Sequence, residues 1–358
     1  MKTLTVTFHH TTNYGAVLQT YALQQTLLSL GHENMVLETK PKSNKKKKMF
    51  SIRCLYLRYL SWLRRNERAK LVKYFADFHR DKLKLTKTYA SMEELRKDPP
   101  DVDCLITGSD QVWNFATTPS FLDSRLLDFG KKDVLRFSYA ASMEELRYSD
   151  EQKKKLKNAL AVFKGISVRE QSAKEYIESF TPYHLERVLD PVFLLSKEQW
   201  MLIAQKPRVK EPYILCYQVQ SNKRMEEVAY QLKKETGYPV VSICNGSIRW
   251  MKSDHYFHDV SIEEFLGFYS NAAYVVSASF HGVALGLVFE KPVYAMVKKV
   301  KANRIKEVMK LFGLDDYIVP QDEKSTLLPY KQESLSKMKE IKRLCIERSF
   351  QYLHNMLN

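Results

Sequence analysis

The chain lacks any run of about 18 apolar residues, so no segment is expected to cross a membrane as a helix. Its start, MKTLTVTFHHTTNYG, has no apolar stretch of the kind a secretory signal needs, and the expected location is the cytoplasm. Cysteine is scarce. Cys54, Cys104, Cys216, Cys244 and Cys345 are isolated and odd in number, they form no CxxC pair, and no histidine cluster stands at metal-ligand spacing. Reduced, buried thiols are therefore expected, with no metal and no bound cofactor. Low-complexity sequence is confined to one lysine run, and RNP, KH and helix-turn-helix signatures are missing. Charge without such a signature is weak evidence for nucleic-acid binding, and no nucleic-acid partner is expected.

Acidic residues are outnumbered: 41 Asp and Glu face 57 Lys and Arg, leaving a formal charge of +16. This balance favours anionic partners, from phosphorylated small molecules to lipid head groups. The excess is mostly local, because residues 40 to 70 hold twelve Lys or Arg and one Glu and supply +11 of the +16. Within that insert, Met49 to Arg65 places Ile52, Leu55, Tyr56, Tyr59, Leu60 and Leu63 at helical spacing with arginines around them, which predicts a basic amphipathic helix. Two readings stay open: the helix rests on the anionic inner face of the cell membrane, with Trp62 and the tyrosines at the interface, or it packs on its own protein.

The rest is ordinary globular sequence, 44% hydrophobic and 12% aromatic, and 358 residues exceed what one core usually serves. LTVTF alternates as a strand, HHTTNYG is a loop, and AVLQTYALQQTLLSL has helical spacing that stops at Gly31. NMVLET, DCLIT, VLRFSYAAS, KGISV and RVLDPVFLL read as further strands, with helices at Asp150 to Phe163 and Glu170 to Phe180 between them. A second series, PYILCYQV, PVVSIC and YVVSAS, alternates with helices at Arg224 to Thr236 and Ile262 to Ser270. The prediction is an α/β chain of two Rossmann-like domains facing a cleft. Residues 1–191 and 192–330 would form the domains, and a helix within 331–358 would lean back on the first.

In open parallel sheets ligands bind beyond the carboxyl ends of the strands. Polar clusters occupy that position repeatedly: Asn13-Tyr14-Gly15, Ser109-Asp110-Gln111, Ser142, Arg169, and Ser279 with His281-Gly282. His281 at a helix N-terminus suits an anion or a proton transfer, and Gly282 would let backbone approach a ligand; the plain alternative is a cap or a cleft wall. Arg169 would grip a carboxylate or phosphate with its fork, or else form an exposed salt bridge with Glu170 or Glu175. Asp110 is a base or a cap for a helix starting near Gln111, and capping equally fits Asn13 and Ser142.

NYGAVLQTYALQ, DCLITGSDQVWN, SYAAS, ISVRE, VLDPVFLL, SFHGVALGLVFEKP and NRIKEVMKLFGL, in this order over Thr3 to Leu314, resemble the polysaccharide pyruvyl transferases. The resemblance implies a GT-B-like fold and transfer of a pyruvyl group from phosphoenolpyruvate to a glycan acceptor, lipid-linked in the membrane-associated case. The second domain would be the donor side and the first the acceptor side. It also implies His281 as acid and Arg169 as donor clamp, with Asp110 a candidate base. Many relatives carry an arginine where this chain has Ser279; Arg304 in the NR pair, or Lys298 and Lys299, would replace that charge. The rivals are a GT-B glycosyltransferase using a nucleotide sugar and a non-catalytic protein that binds through the basic insert.

Overall fold

The computed structural model describes residues 1–40, 65–117, 119–143, 146–219, 222–244, 251–297, 303–321 and 327–358. The lysine run, the basic stretch before Arg65, and Lys298 and Lys299 lie outside the described residues.

Two parallel sheets organise the chain. The first joins β1 (Lys2–Val6), β2 (Glu33–Thr39), β3 (Leu85–Tyr89), β4 (Cys104–Thr107) and β5 (Leu135–Ser138) in the order β3-β2-β1-β4-β5. Beside β5 lies a short parallel pair, β6 (Ser167–Val168) with β7 (Glu186–Arg187), tied to it by bridges from Phe137 to Gly165 and from Ala141 to Val168. The second sheet contains β8 (Tyr213–Gln218), β9 (Val240–Cys244), β10 (His255–Phe257), β11 (Ala272–Ser277), β12 (Val293–Val297) and β13 (Ile318–Pro320), ordered β10-β9-β8-β11-β12-β13. Each sheet therefore begins in its middle, grows to one edge and crosses back. The crossing leaves a switch point between β1 and β4 in the first sheet and between β8 and β11 in the second, where loops diverge and a crevice opens.

Burial explains the strand sequences. Every residue of β4 and β8 is buried, as parallel strands covered on both faces require. Helix α1 (Tyr14–Ser29) is capped by Asn13, whose Oδ1 accepts from Gly15 N at 3.0 Å, and the chain leaves it through Gly31 at φ 83°. This helix buries polar residues as well as apolar ones: Tyr14, Val17 and Leu18 face the second half, while Gln19, Thr20 and Gln24 bond to first-half residues beside the first sheet. Gln19 repays that burial with bonds to Thr7 Oγ1 at 2.9 Å and from Ser109 N at 3.2 Å.

One hydrophobic cluster runs across both halves. Tyr14, Val17 and Leu18 of α1 and Leu71, Phe75 and Phe78 of α2 (Arg65–Lys82) share it with the second sheet and its helices. Tyr14 stacks on Phe265 at 4.0 Å and donates its hydroxyl to Val260 O at 2.7 Å. The C-terminal helix α3 (Gln332–Leu357) makes the second connection. Leu335 and Met338 belong to the cluster of the second half, while Tyr352, Leu353 and Leu357 pack with Leu23, Ile106 and Phe137 of the first. Tyr352 donates to Ser138 O at 2.9 Å.

The sequence reading overestimates three strands. KGISV supplies only the two residues of β6, and RVLDPVFLL only Arg187 of β7, because Pro191 has no N–H for a ladder and Asp190 turns its Oδ1 to Val192 N at 3.1 Å, opening a short 3₁₀ turn at Pro191–Phe193. VLRFSYAAS ends at Ser138, and Ala140 takes the left-handed region at φ 49°.

Candidate active site

The Asp190 turn lies between α1 and the helix α4 (Phe280–Val288), at the level where both sheets end. The polar residues of both halves converge on its carboxylate. Arg169, from the end of β6, donates Nη1 to Asp190 Oδ2 at 2.7 Å. Ser109, in the turn after β4, places Oγ 3.0 Å from the same oxygen and 2.9 Å from Ala140 O. His281, from the first turn of α4, brings Nε2 to 3.5 Å, longer than a hydrogen bond. Asp190 is 1% exposed, Arg169 5% and His281 8%, so charge here is poorly screened. Burial alone would raise the Asp190 carboxyl; His281 and Arg169 beside it outweigh burial and hold it well below the usual carboxylate range. Burial would likewise lower the Arg169 guanidinium, but Glu170, Asp190 and Asp110 keep it charged.

Arg169 grips carboxylates with its fork, and those carboxylates are the protein's own. Its fork is committed inside the protein, with Nε on Glu170 Oε1 at 2.8 Å, Nη1 on Asp190 and Nη2 on Ser142 Oγ at 3.0 Å. Its guanidinium also faces the Phe280 ring at 3.9 Å, a cation–π contact between the two halves. Of the expected salt bridges with Glu170 or Glu175, the one with Glu170 forms, but it is buried and shared with Asp190 instead of exposed. Ser142 is no helix cap: it hands its proton to Glu170 Oε1 at 2.9 Å.

His281 has a tight seat. A Cβ on Gly15 would stand 2.2 Å from His281 Nδ1, so only glycine at the second position of α1 lets the imidazole lie there. Its Nε2 is buried and has no hydrogen-bond partner among the described residues. Gly282 serves another neighbour than the one expected. Its missing Cβ makes room for Ser277 Oγ, which would lie at 2.1 Å, and so brings α4 close onto β11; close packing and not ligand approach explains it. Ser279 is the N-cap residue of α4 and makes no side-chain capping bond.

Asp110 follows a cis Gly108–Ser109 peptide bond and sits at φ 65°, in a turn and not at a helix start. Gln111 beside it, with its amide oxygen facing the donors, accepts from Arg304 Nη1 at 2.7 Å and Nη2 at 3.0 Å. Arg304 belongs to the helix α5 (Asn303–Leu311) of the second half, so this pair also spans the cleft. Tyr14 is spent on the interface described above, and Asn13 on its cap.

Several residues here carry no single-residue signal in the sequence. Asp190 reads as part of a linker, and only its neighbours in space reveal the carboxylate as the hub. Glu307 of α5 accepts from Gln171 N at 2.5 Å and from Ser172 N at 3.3 Å, capping the helix α6 (Gln171–Glu178) from the opposite half. Arg187 lines the same narrow cleft with Arg169, Phe280, Arg304 and Glu307. The result is a narrow cleft with Arg169 and Arg187 on the first half, Arg304 on the second and Asp190 in its lining, while the imidazole held by Gly15 lies behind that carboxylate at 3.5 Å. It offers proton transfer next to cationic positions, the equipment for adding to an anionic, acid-activated donor.

Residues 13–297 match the family described as polysaccharide pyruvyl transferase. No protein of curated function matches the chain. Among solved structures, the UDP-GlcNAc 2-epimerase of Neisseria meningitidis, bound to UDP-GlcNAc, is similar at 12% identity, covering 100% of this chain and 99% of that chain, with a TM-score of 0.50. The UDP-GlcNAc 2-epimerase of Methanocaldococcus jannaschii gives 11% identity, 95% and 92% coverage and a TM-score of 0.50. The calicheamicin glycosyltransferase CalG4 gives 12%, 99% and 98%, and 0.47. At such identities the likeness speaks for the fold alone: an α/β chain of two Rossmann-like halves of the GT-B kind.

Proposed function

The chain belongs to the polysaccharide pyruvyl transferase family, and from that premise we propose that it moves a pyruvyl group from phosphoenolpyruvate to a sugar of a cell-surface polysaccharide or its lipid-linked precursor. His281 protonates the methylene carbon of the donor, which makes C2 electrophilic. A sugar hydroxyl adds to C2 and gives up its proton to a base, for which Asp110 in the turn after β4 is the candidate. A second hydroxyl then displaces phosphate, closing a cyclic ketal and releasing inorganic phosphate. Such a step needs an acid, a cationic wall for the anionic donor and a place for the leaving phosphate.

The observation that carries this reading is the seat of His281, with a buried, unpartnered Nε2 3.5 Å from a carboxylate that stays ionised. The Asp190 carboxylate faces the imidazole, and the long distance leaves room to tighten when the donor arrives. Because the Arg169 fork is occupied, Arg169 acts as a positioning residue for Asp190, and Arg304 and Arg187 are the groups proposed to meet the donor. Ser279 leaves its hydroxyl for the same purpose. The protein works without a cofactor in this scheme.

A mass-shift screen of the purified chain with phosphoenolpyruvate and a panel of nitrophenyl or lipid-linked sugars tests it. Formation of a pyruvylated glycan with stoichiometric phosphate is expected. Release of a nucleotide from a nucleotide sugar, with no reaction of phosphoenolpyruvate, would replace this reading by the glycosyltransferase one.

A further inference from the structure

A second group of titratable side chains lies apart from Asp190, where β1 and β2 end. The chain leaves β1 through Thr7 and Phe8 into two adjacent histidines. The His9 side chain is wholly buried, and its Nε2 lies 2.9 Å from Glu38 Oε2. His10 follows with Nδ1 3.2 Å from Glu38 Oε1, so one carboxylate, near the end of β2, takes an imidazole on each oxygen. The ligand atoms of His9, His10 and Glu38 all lie within 4.8 Å of one another. Glu38 is 19% exposed and His10 33%, which opens one side of the group to solvent.

A second observation sets this group apart from an ordinary buried salt bridge. His9 Nδ1 and His79 Nε2 are both buried without a hydrogen-bond partner among the described residues. His79, from the last turn of α2, presents its ring edge-on to His9 at a centroid distance of 5.8 Å. Buried polar atoms are normally satisfied, so two unsatisfied ring nitrogens next to an imidazole pair that already shares one carboxylate mark a group of unusual polar density.

The geometry points to a binding site for a divalent transition-metal ion of the zinc class, held by His9, His10 and Glu38 with His79 beside it. Two imidazoles and a carboxylate are the donor set that such ions select, with bond lengths of about 2.0 to 2.2 Å, whereas magnesium and calcium prefer oxygen alone. The ion takes the place of the protons that His9 and His10 direct at Glu38, and each proton moves to the other nitrogen of its ring. Coordination through His10 Nδ1 moves that ring's proton to Nε2, and Thr39 N, which now donates to it at 3.1 Å, turns to water at the exposed end of β2. Three protein ligands leave a coordination position for water or a substrate oxygen. The bound ion would pin the loop from Phe8 to Thr12, which leads directly into Asn13 and Gly15 and so to the seat of His281.

The full-length chain, stripped with chelator and dialysed, tests this by calorimetric titration with zinc chloride and by visible absorption of added cobalt(II). Variants His10→Gln and Glu38→Gln, both partly exposed positions, are compared after circular dichroism shows them folded. The expected result is one tightly bound equivalent, an affinity at least 10-fold weaker in each variant, a cobalt spectrum seen only in the parent chain, and a thermal midpoint raised by zinc but not by magnesium. Zinc binding no stronger in the parent than in a His10→Gln, Glu38→Gln double variant would overturn the proposal, as would an equal response to magnesium.

Discussion

Gly15 and His281 show how a single missing atom sets a site. Replacing Gly15 with Ala would put a methyl group 2.2 Å from His281 Nδ1, and the imidazole must move. Displacements near 1 Å in a reacting group cost about 100-fold in rate, so Gly15→Ala is expected to lose about that factor in turnover while circular dichroism stays unchanged. Asp190 gives a pH test with a definite sign. Its folded pKa is depressed, so the stability it contributes is complete above the unfolded carboxyl value near 3.9 and is lost as the pH falls through the folded value. Asp190→Asn leaves Arg169 short of a partner and should cost about 3 to 5 kcal/mol at pH 7. In urea unfolding, the gap between parent and variant should narrow below about pH 4; a gap that is constant down to pH 3 would contradict the buried-pair description. At this scale the sequence reveals residue types at strand ends but not their partners. Arg169 and His281 stand out as chemistry, yet nothing local shows that both meet Asp190, which lies 21 residues from one and 91 from the other. The His9, His10, Glu38 and His79 group is scattered in the same way, so no ligand spacing exposes it.

The secondary elements were far more legible, because burial on both faces writes strands as apolar runs and caps mark helix ends. The helices at Asp150–Leu160, Lys223–Thr236 and Ile262–Asn271 start at Ser149, Asn222 and Ser261, each of which accepts a backbone N–H, and the second ends at Gly237 in the left-handed region. The short strand β7 is hidden in sequence, because a run such as RVLDPVFLL is apolar for packing: only Arg187 pairs in the ladder, and Leu189, Val192, Phe193 and Leu195 fill the core under α1 and α4. The apolar spacing predicts helix α1, but its buried Gln19 and Thr20 make sense only with the chain after β1 and the turn after β4 in place. Tyr14, at its start, is the element-scale test of its contact with the second half. Tyr14→Phe keeps the stack on Phe265 and removes the bond to Val260 O, leaving a buried carbonyl unpaired. A loss of about 1 to 2 kcal/mol in unfolding free energy is expected; no change would mean that the hydroxyl contributes nothing to the joint between the halves.

For the molecule as a whole, the alternation of strands and helices predicted two parallel sheets, and the strand orders place a crevice at each switch point. Sequence gives no distance between the halves. That comes from the cluster shared by α1, α2 and the second sheet, and from α3, which packs on both. No helix among the described residues is long and apolar enough to cross a membrane. The basic insert at residues 40 to 70 is separable from the chemistry in this account. Deleting residues 41–50, which carry charge but none of the candidate catalytic groups, should leave turnover of a soluble sugar within about 2-fold of the parent and should reduce association with vesicles rich in anionic lipid. Loss of soluble-sugar turnover on that deletion would place the insert in the active site. The most direct test of the central claim is phosphate release from phosphoenolpyruvate and a verified glycan acceptor, measured for the parent chain and for His281→Gln. A positioned acid is worth roughly 100- to 10,000-fold, so the variant should lose at least 100-fold in turnover with an unchanged unfolding midpoint, and a His281→Gln protein as active as its parent would contradict the account.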